Sequence, residues 1–590
     1  MFQTFESSSS PDQGPPRLAA LRAAMAEAGV DGFIVPRADA FQGEYVAPCD
    51  ERLSWLTGFT GSAGYAVVLA DDAGVFVDGR YRVQVKAQVA DVFTAVDWPE
   101  TSLAEWIKEH ASDGAKIAYD PWLHTPRQVA ALTKGAPGVT FVASPNFVDA
   151  IWEDRPARPA GRAFAHPIEL AGEASAEKRA RLGADLAAAG EDAAILTLPD
   201  SICWLLNIRG SDIPRIPVVQ ATAILQSDGR VALFVDTGKV ADLDIDADIH
   251  PPEAFLGAVA GLKGTVRLDP DTCPEAVRAA VTATVSEGAD PCLLPKARKN
   301  AAELEGARAA HARDAVAMVE FLAWLDAEDP ASLTEISAAE TLEGFRRATN
   351  ALQDISFETI SGAGAHGAVV HYRVTEETNR PLKSGELYLV DSGGQYVDGT
   401  TDITRTVALG TPPEEARQAF TRVLQGMIAV SRVRFPKGVG GQHIDALARA
   451  PLWMAGQDYD HGTGHGVGSY LSVHEGPTRI ARASSLPLEP GMILSNEPGY
   501  YREGAFGIRI ENLIVVQEAA PVPGGDKARA MLDFETLTYV PIDRALIVPD
   551  MLSTGERDWL NAYHAQCAAR VAGQLSDRAQ GWITRATASI

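Results

Sequence analysis

The chain has 590 residues, enough for three or four folded units at about 150 residues per domain. A hydrophobic fraction of 46% with 22% charged residues is that of a globular protein and excludes wholesale disorder and fibrous repeats. Lys and Arg number 52 against 78 Asp and Glu, a formal net charge of -26 that repels phosphate backbones and anionic lipid, so neither nucleic acid nor a membrane is expected as partner.

In chain order, residues 1–16 (MFQTFESSSSPDQGPP) show no basic segment followed by an apolar run, and their Ser and Pro content predicts a disordered leader. No later stretch approaches the roughly 20 apolar residues of a membrane span. The five cysteines are scattered without a Cys-x-x-Cys pair, which fits a reducing compartment and a cytoplasmic protein. A helical pattern from Leu18 to Ala28 leads into the apolar run Gly32 to Pro36 and further strand-like segments, the rhythm of an α/β domain. Proline-rich segments at 153–167 and 291–300 mark boundaries. They predict domains at 17–155, 165–295 and 300–540, with a C-terminal extension over 541–590.

The first two domains read as copies. The segment from Trp55 to Ser62 (WLTGFTGS) is echoed from Trp204 to Ser211 (WLLNIRGS), and the strand ending at Asp78 (GVFVD) by that ending at Asp236 (ALFVD), in both cases roughly 150 residues later. The third domain opens with a long helix from Ala301 to Asp326 that places Leu304, Ala307, His311, Ala315, Met318, Phe321 and Leu325 on one face. The segment 537–567 offers an apolar strand and an amphipathic helix, suited either to covering the core or to pairing with another subunit.

Chemistry concentrates after that helix. Six of the twelve histidines (His366, His371, His443, His461, His465, His474) fall within one short window. Among and after them come Asp391 and Asp402 in VDSGGQYVDGTTDITRT, Glu497 in SNEPGYY and Glu511 in GIRIENLIV. Carboxylates beside Val, Leu and Ile on buried strands are costly unless a cation neutralises them. Asp391 and Asp402 are eleven residues apart, so on one straight strand they face opposite ways. A reversal through Gln395 to Gly399 lets them converge from neighbouring strands, and the loop bearing Gly499, Gly504 and Gly507 does the same for Glu497 and Glu511. With one imidazole from HGTGHGVG the set has four oxygen ligands and one nitrogen ligand. That set suits a pair of divalent ions such as Mn²⁺, Co²⁺ or Zn²⁺ and points to metal-assisted hydrolysis.

The ordered blocks GAVVHY (367–372), DSGGQYVDGTTDITRT, HGTGHGVGSYLSVHEGP (461–477), EPGYY and GIRIEN resemble the pita-bread metallopeptidases. Together with TGFTGSAG, VDGRY and WLLNIRGSD, they are similar to the long, three-domain Xaa-Pro aminopeptidases. The resemblance implies two duplicated creatinase-like α/β domains followed by an α+β pita-bread catalytic domain. It also implies two divalent metals, Mn²⁺ foremost: Asp391 chelates one, Asp402 and Glu511 bridge the pair, and His465 with Glu497 completes the second. Glu497 would also accept a proton from the water, and Arg509, two residues before Glu511, would orient the ligands. His371 and His474 fall where the family contacts the scissile region and the tetrahedral intermediate, and His461 on the extra histidine of the Xaa-Pro branch. The substrates implied are peptides with proline in second position, and the assembly a homodimer.

His366 departs from the small or amide residue expected at its place, and a structural role or plain exposure is its simplest reading. Asp398 reads as a turn residue. The loop HGTGHGVG lacks the order of a phosphate-binding loop. Two rival functions remain, a prolidase confined to dipeptides and a non-catalytic pita-bread module that binds peptide or protein, the latter expected to lose ligands that this chain keeps.

Overall fold

The computed structural model describes residues 1–590 apart from Lys527. The chain separates into two compact units, Ser8–Leu293 and a second formed by Met1–Ser7 with Leu294–Ile590.

The first unit holds two six-stranded sheets. One is built from β1 (Gly32–Pro36), β2 (Tyr65–Leu69), β3 (Ala73–Val77), β4 (Thr94–Asp97), β5 (Lys116–Tyr119) and β6 (Thr140–Ala143), in the order β4-β3-β2-β1-β5-β6. The other comprises β7 (Ala193–Leu196), β8 (Thr222–Gln226), β9 (Val231–Phe234), β10 (Asp248–His250), β11 (Thr265–Leu268) and β12 (Thr284–Glu287), in the order β10-β9-β8-β7-β11-β12. Both combine two antiparallel pairings around the second strand with parallel pairings elsewhere. The echoed tryptophans lie on equivalent helices, Arg52–Thr57 and Pro199–Leu206, each following the first strand of its sheet. Order, pairing sense and motif position all coincide, so the two domains share one topology. The central strands β1 and β7 are apolar throughout and fully buried, as strands covered on both faces must be.

In the second unit the long helix α1 (Ala301–Ala327) starts at a capping box between Asn300 and Glu303 and buries Ala307, His311, Ala315, Met318, Phe321 and Leu325. α2 (Glu335–Ala348) packs beside it through Ala338 and Leu342. A three-stranded sheet follows in the order β13 (Ile360–Ala363), β14 (Leu387–Ser392), β17 (Ile403–Ala408); between its last two strands the chain makes a tight hairpin of β15 (Gly394–Tyr396) and β16 (Gly399–Thr400). Helices α3 (Glu414–Arg432) and α4 (Gly441–Trp453) lead to a six-stranded sheet. Its strands are β18 (Phe435–Pro436), β19 (Gly464–Gly466), β20 (Glu475–Ile480), β21 (Ile493–Asn496), β24 (Asn512–Glu518) and β25 (Met531–Thr536), in the order β18-β25-β24-β21-β19-β20. Between β21 and β24 a second hairpin forms from β22 (Gly499–Arg502) and β23 (Phe506–Arg509).

The two halves therefore repeat one device, an antiparallel pair interrupted by a hairpin. In the first, Asp391 pairs with Thr404 across β14 and β17; in the second, Asn496 pairs with Asn512 across β21 and β24. Asp391, Asp402, Glu497 and Glu511 thus lie where the strand pairs meet the hairpins, and the Glu511 amide donates to the Thr404 carbonyl (3.2 Å), joining the halves.

Two stretches depart from expectation. The first residues, read as a disordered leader, are placed: the Phe2 and Gln3 amides donate to the buried Glu343 carboxylate, Gln3 exchanges side-chain hydrogen bonds with Thr359, and Phe5 is buried beside Val374 and Leu389. Backbone and amide hydrogen bonds to a buried acid hold this segment, a contribution that composition does not display. The helix expected from Leu18 begins at Gly14, with prolines in its first turn. The apolar strand expected after Leu537 is absent among the described residues, because its backbone is spoken for by side chains. The Val540 amide donates to the Tyr563 hydroxyl, the Ile542 amide to His564 Nε2, and the Val540 and Pro541 carbonyls accept from the buried Arg405. Helices α5 (Thr554–Arg570) and α6 (Asp577–Ala586) then cover the core of their own unit through Leu560, Tyr563, Cys567, Ala579 and Ile583. No helix among the described residues is long and apolar enough to cross a membrane.

His564 is fully buried, and desolvation with Arg405 nearby pushes its imidazole down to about 4. A histidine held neutral in the fold and free to charge in the unfolded chain contributes stability that is present above about pH 6.5 and lost as pH falls toward 4, up to about 3 kcal/mol. His564→Gln keeps an acceptor for the Ile542 amide but cannot titrate. We expect its denaturation midpoint to fall less than the wild type's between pH 6.5 and 4.5 (about two pH units), measured by urea unfolding followed by circular dichroism.

Candidate active site

The acidic side chains converge as the paired hairpins require. Asp402, His465 and Glu511 each bring one ligand atom within 4.8 Å of the others. His465 Nε2 lies 3.5 Å from Asp402 Oδ2 and 3.4 Å from Glu497 Oε1. The other ring nitrogen, Nδ1, meets the Gly466 carbonyl at 2.9 Å and must carry the proton, so Nε2 presents its lone pair to the carboxylates. Ser495 donates to Glu497 Oε1 (3.0 Å) and accepts from the His465 amide (2.9 Å), tying those two residues together. The strand carrying His465 can lie this close to β21 because position 464 is glycine: a Cβ there would sit 1.9 Å from the Ser495 carbonyl oxygen.

Arg509, almost wholly buried, organises the other side. It donates to Asp391 Oδ2 (2.6 Å), to the Thr404 hydroxyl (3.1 Å), to the Tyr501 hydroxyl (2.6 Å) and to the Val370 carbonyl (3.3 Å). Thr404 passes the link on by donating to Glu511 Oε2 (2.9 Å). Tyr501 continues it to His461 Nε2 (2.9 Å); because His461 Nδ1 faces the Gly462 carbonyl (2.8 Å), the tyrosine donates and the imidazole accepts. Burial raises the Tyr501 phenol to about 12, which keeps that donor in place. The Val370 bond anchors the segment ending in His371. Its approach to β23 also depends on glycine, since a Cβ at Gly507 would fall 1.6 Å from the Gly367 carbonyl oxygen. The His371 and His474 rings lie 6.5 Å apart, and His474 stands edge-on 4.2 Å from His465.

Whether this set fits divalent cations is decided by its electrostatics. Burial first, then the negative charges of Asp391 and Glu497, hold the Asp402 carboxyl well above the usual range, and burial with the Asp402 charge does the same to Glu511. Asp391 Oδ1 and Glu511 Oε1 are buried without a hydrogen-bond partner. Orphaned buried carboxylate oxygens and mutually repelling acids are what a cation pair relieves, and the four-carboxylate, one-imidazole donor set accommodates two hard or borderline ions.

Asp391, Asp402, His461, His465, Glu497, Arg509 and Glu511 lie in this network, with the His474 ring beside His465 and the His371 ring 6.5 Å from that of His474; His366 lies outside it. Its Nδ1 lies 2.9 Å from both oxygens of the buried Glu335, which also accepts from the Ala363 amide and the Tyr372 hydroxyl, a separate hydrogen-bonded group. Asp398 sits in its turn but also pairs with Arg313 through two bonds. Sequence reading passed over Thr404, Tyr501 and Ser495. Thr404 carried a usable signal: it lies two residues beyond Asp402, on the same strand face.

Residues 305–518 match metallopeptidase family M24, and 530–590 match the C-terminal region of that peptidase. The creatinase/prolidase N-terminal domain matches twice, over 17–151 and 154–303. A Laccaria bicolor protein named as a probable Xaa-Pro aminopeptidase P is 39% identical, across 96% of this chain and 92% of its own. The chain belongs to metallopeptidase family M24. Within this M24 family, aminopeptidase P2 of Arabidopsis thaliana is 38% identical over 96% of this chain and 87% of its own. The solved X-prolyl aminopeptidase of Caenorhabditis elegans, described as a cytosolic enzyme with a di-nuclear active site, superposes with a TM-score of 0.91 at 33% identity over 98% of this chain and 99% of its own. The prolidase of Thermococcus sibiricus shares the M24 fold at 23% identity and a TM-score of 0.50, but 97% of it spans only 62% of this chain. Two creatinase-like α/β domains thus precede an M24 pita-bread catalytic domain.

Proposed function

We propose that this protein is a metal-dependent Xaa-Pro aminopeptidase, which hydrolyses the first peptide bond of peptides with proline in second position. The observation that carries the reading is the cluster of buried Asp391, Asp402 and Glu511 with the partly exposed His465 and Glu497, and the orphaned oxygens on Asp391 and Glu511. The shared three-domain length of the similar aminopeptidases supports it, whereas the prolidase matches only part of the chain. A pair of divalent ions, Mn²⁺ by preference and Co²⁺ or Zn²⁺ otherwise, would supply a water acidified toward neutral pH and a Lewis acid for the scissile carbonyl.

Asp391 would hold one ion, His465 and Glu497 the other, and Asp402 with Glu511 both. Arg509 keeps Asp391 and, through Thr404, Glu511 aimed at one point. Glu497, fixed at Oε1 by Ser495, takes the proton of the attacking water on its other oxygen. His474 donates to the oxygen that becomes negative in the tetrahedral intermediate, His371 contacts the scissile region beside it, and His461 is held by Tyr501 for substrate binding. A bond before proline is a tertiary amide without N–H, so recognition rests on the ring and the activated water rather than on a grip through that hydrogen. A homodimer and a cytoplasmic location complete the reading. The cytosolic description of the Caenorhabditis elegans enzyme and five buried free cysteines support the location.

The test is hydrolysis of Arg-Pro-Pro, Arg-Ala-Ala and Ala-Pro by chelator-stripped protein with and without Mn²⁺. We expect metal-dependent release of Arg from Arg-Pro-Pro and none from Arg-Ala-Ala. Cleavage confined to Ala-Pro would make the protein a prolidase, and no cleavage with Mn²⁺, Co²⁺ or Zn²⁺ would make it a binding module.

A further inference from the structure

A second set of buried charges begins at the residue after His474. Glu475, the next residue, has its carboxylate gripped from two sides, by Lys296 Nζ at 2.9 Å on Oε1 and by Lys299 Nζ on Oε2. The side chains of Glu475 and Lys296 are 1% exposed and that of Lys299 2%. Lysine is almost never buried to this degree without a specific partner, and an ion pair placed only for stability is matched or bettered by apolar side chains of equal volume. Two lysines converging on one carboxylate therefore call for a reason beyond packing.

Their surroundings supply one. Glu475 opens β20 and pairs with Gly466 across β19, where the register slips between His465 and Gly466. It thus closes the loop that runs from the ligand His465 to His474. Within that loop Gln395 donates to the Leu471 carbonyl (2.7 Å), the Gly468 amide to the Ser472 carbonyl (2.9 Å), the Val467 amide to the Ile493 carbonyl (3.1 Å) and the Ser472 hydroxyl to the His474 carbonyl (3.0 Å), and Tyr470 has a left-handed φ of 50°. The lysines come from a segment that is itself fixed: the Lys299 amide donates to the Gly491 carbonyl (3.0 Å), Arg298 bridges to Met492, and Asn300 caps α1. A fixed segment on one side and the end of the loop that carries His474 on the other meet at Glu475.

We propose that Lys296 and Lys299 are positioning residues for catalysis: through Glu475 they fix the backbone carrying His474, and so the place of its ring against the reacting carbonyl. The proposal rests on the reading of His474 given above.

Removing one lysine leaves Glu475 paired with the other, so Lys299→Met and Lys296→Met retain a neutralised carboxylate and are suited to the test in the full, Mn²⁺-loaded protein. With Arg-Pro-Pro as substrate we expect each to lower kcat by about 10- to 100-fold with KM within about threefold and bound metal unchanged, the scale of loss seen when an outer support of a catalytic group is removed. Lys299→Arg should recover most of the loss. Because the lysines act through His474, His474→Ala combined with Lys299→Met should be no slower than His474→Ala alone. In protein labelled with ¹³C-histidine, the His474 resonance should move in Lys299→Met while that of the distant His564 stays, a readout that holds even if the wild type cleaves no peptide. A kcat within twofold of wild type with only a lowered melting point would overturn the proposal. So would additive losses in the double variant, a stationary His474 resonance, or loss of metal, which would route the effect through His465. Failure of the wild type to cleave Arg-Pro-Pro would instead count against the aminopeptidase reading and leave the resonance to decide the clamp.

Discussion

Replacing Asp402 by Ala is expected to remove activity by more than about a thousandfold and to lower bound metal below that of the wild type, and Glu511→Ala is expected to do the same, since on the proposed assignment each removes a carboxylate that would hold both ions. Asp402 lies just before β17 and Glu511 just before β24, linked through Thr404, so the loss of either leaves His465 facing an incomplete set. Stability separates a lost ligand from a broken fold. In the metal-free protein Asp402 and Glu511 already resist ionising because they are buried beside Asp391 and Glu497. Asp402→Asn relieves part of that repulsion at little change in volume. Metal-free Asp402→Asn should therefore melt no lower than metal-free wild type. Adding Mn²⁺ should raise the melting point of the wild type strongly and that of the variant little, as expected when binding to the folded state alone is the source of the gain. Calorimetry with metal analysis on the same samples checks both. Full activity in Asp402→Ala or Glu511→Ala would sink the two-metal assignment.

The convergence of the acidic residues was legible because their chemistry is conspicuous. An acid between Val and Ser, or between Ile and Asn, in a strand demands an explanation that few arrangements supply, and the glycines around it reveal where the chain turns back. The duplication was legible because Trp55 and Trp204 head the same turn of the same topology. What escaped was neutral or distant. Tyr501, Thr404 and Ser495 are hydroxyl residues of the kind any strand carries, and only their place beside Arg509 or Glu497 marks them. Lys299 and Glu475 are 176 positions apart, so no spacing rule connects them. Residues 537–542 carry a strand-like apolar pattern, yet Tyr563, His564 and Arg405 take their backbone groups. Periodicity records which residues are buried, but not what satisfies their amides.

His474→Ala separates catalysis from coordination. The ring stands 4.2 Å from that of His465 yet lies outside the cluster of Asp402, His465 and Glu511, and its centroid is 6.5 Å from that of His371. A donor aimed at a developing oxyanion contributes chiefly in the transition state, and losing one lowers kcat by about 100- to 1000-fold. The expected result is therefore a fall of that size in kcat on Arg-Pro-Pro, KM little changed, and metal content and melting point equal to the wild type. His371→Ala, which removes the facing ring, should add less than its full separate effect to His474→Ala, because both act on the same reacting group. Loss of metal from His474→Ala would move this residue into the coordination shell. Unaltered turnover would leave the oxyanion without a donor from this chain and require the ions alone to stabilise it. The contrast with Asp402→Ala is the informative part: one variant empties the site and the other leaves it loaded and slow, which only a metal centre with a separate protein-borne donor predicts.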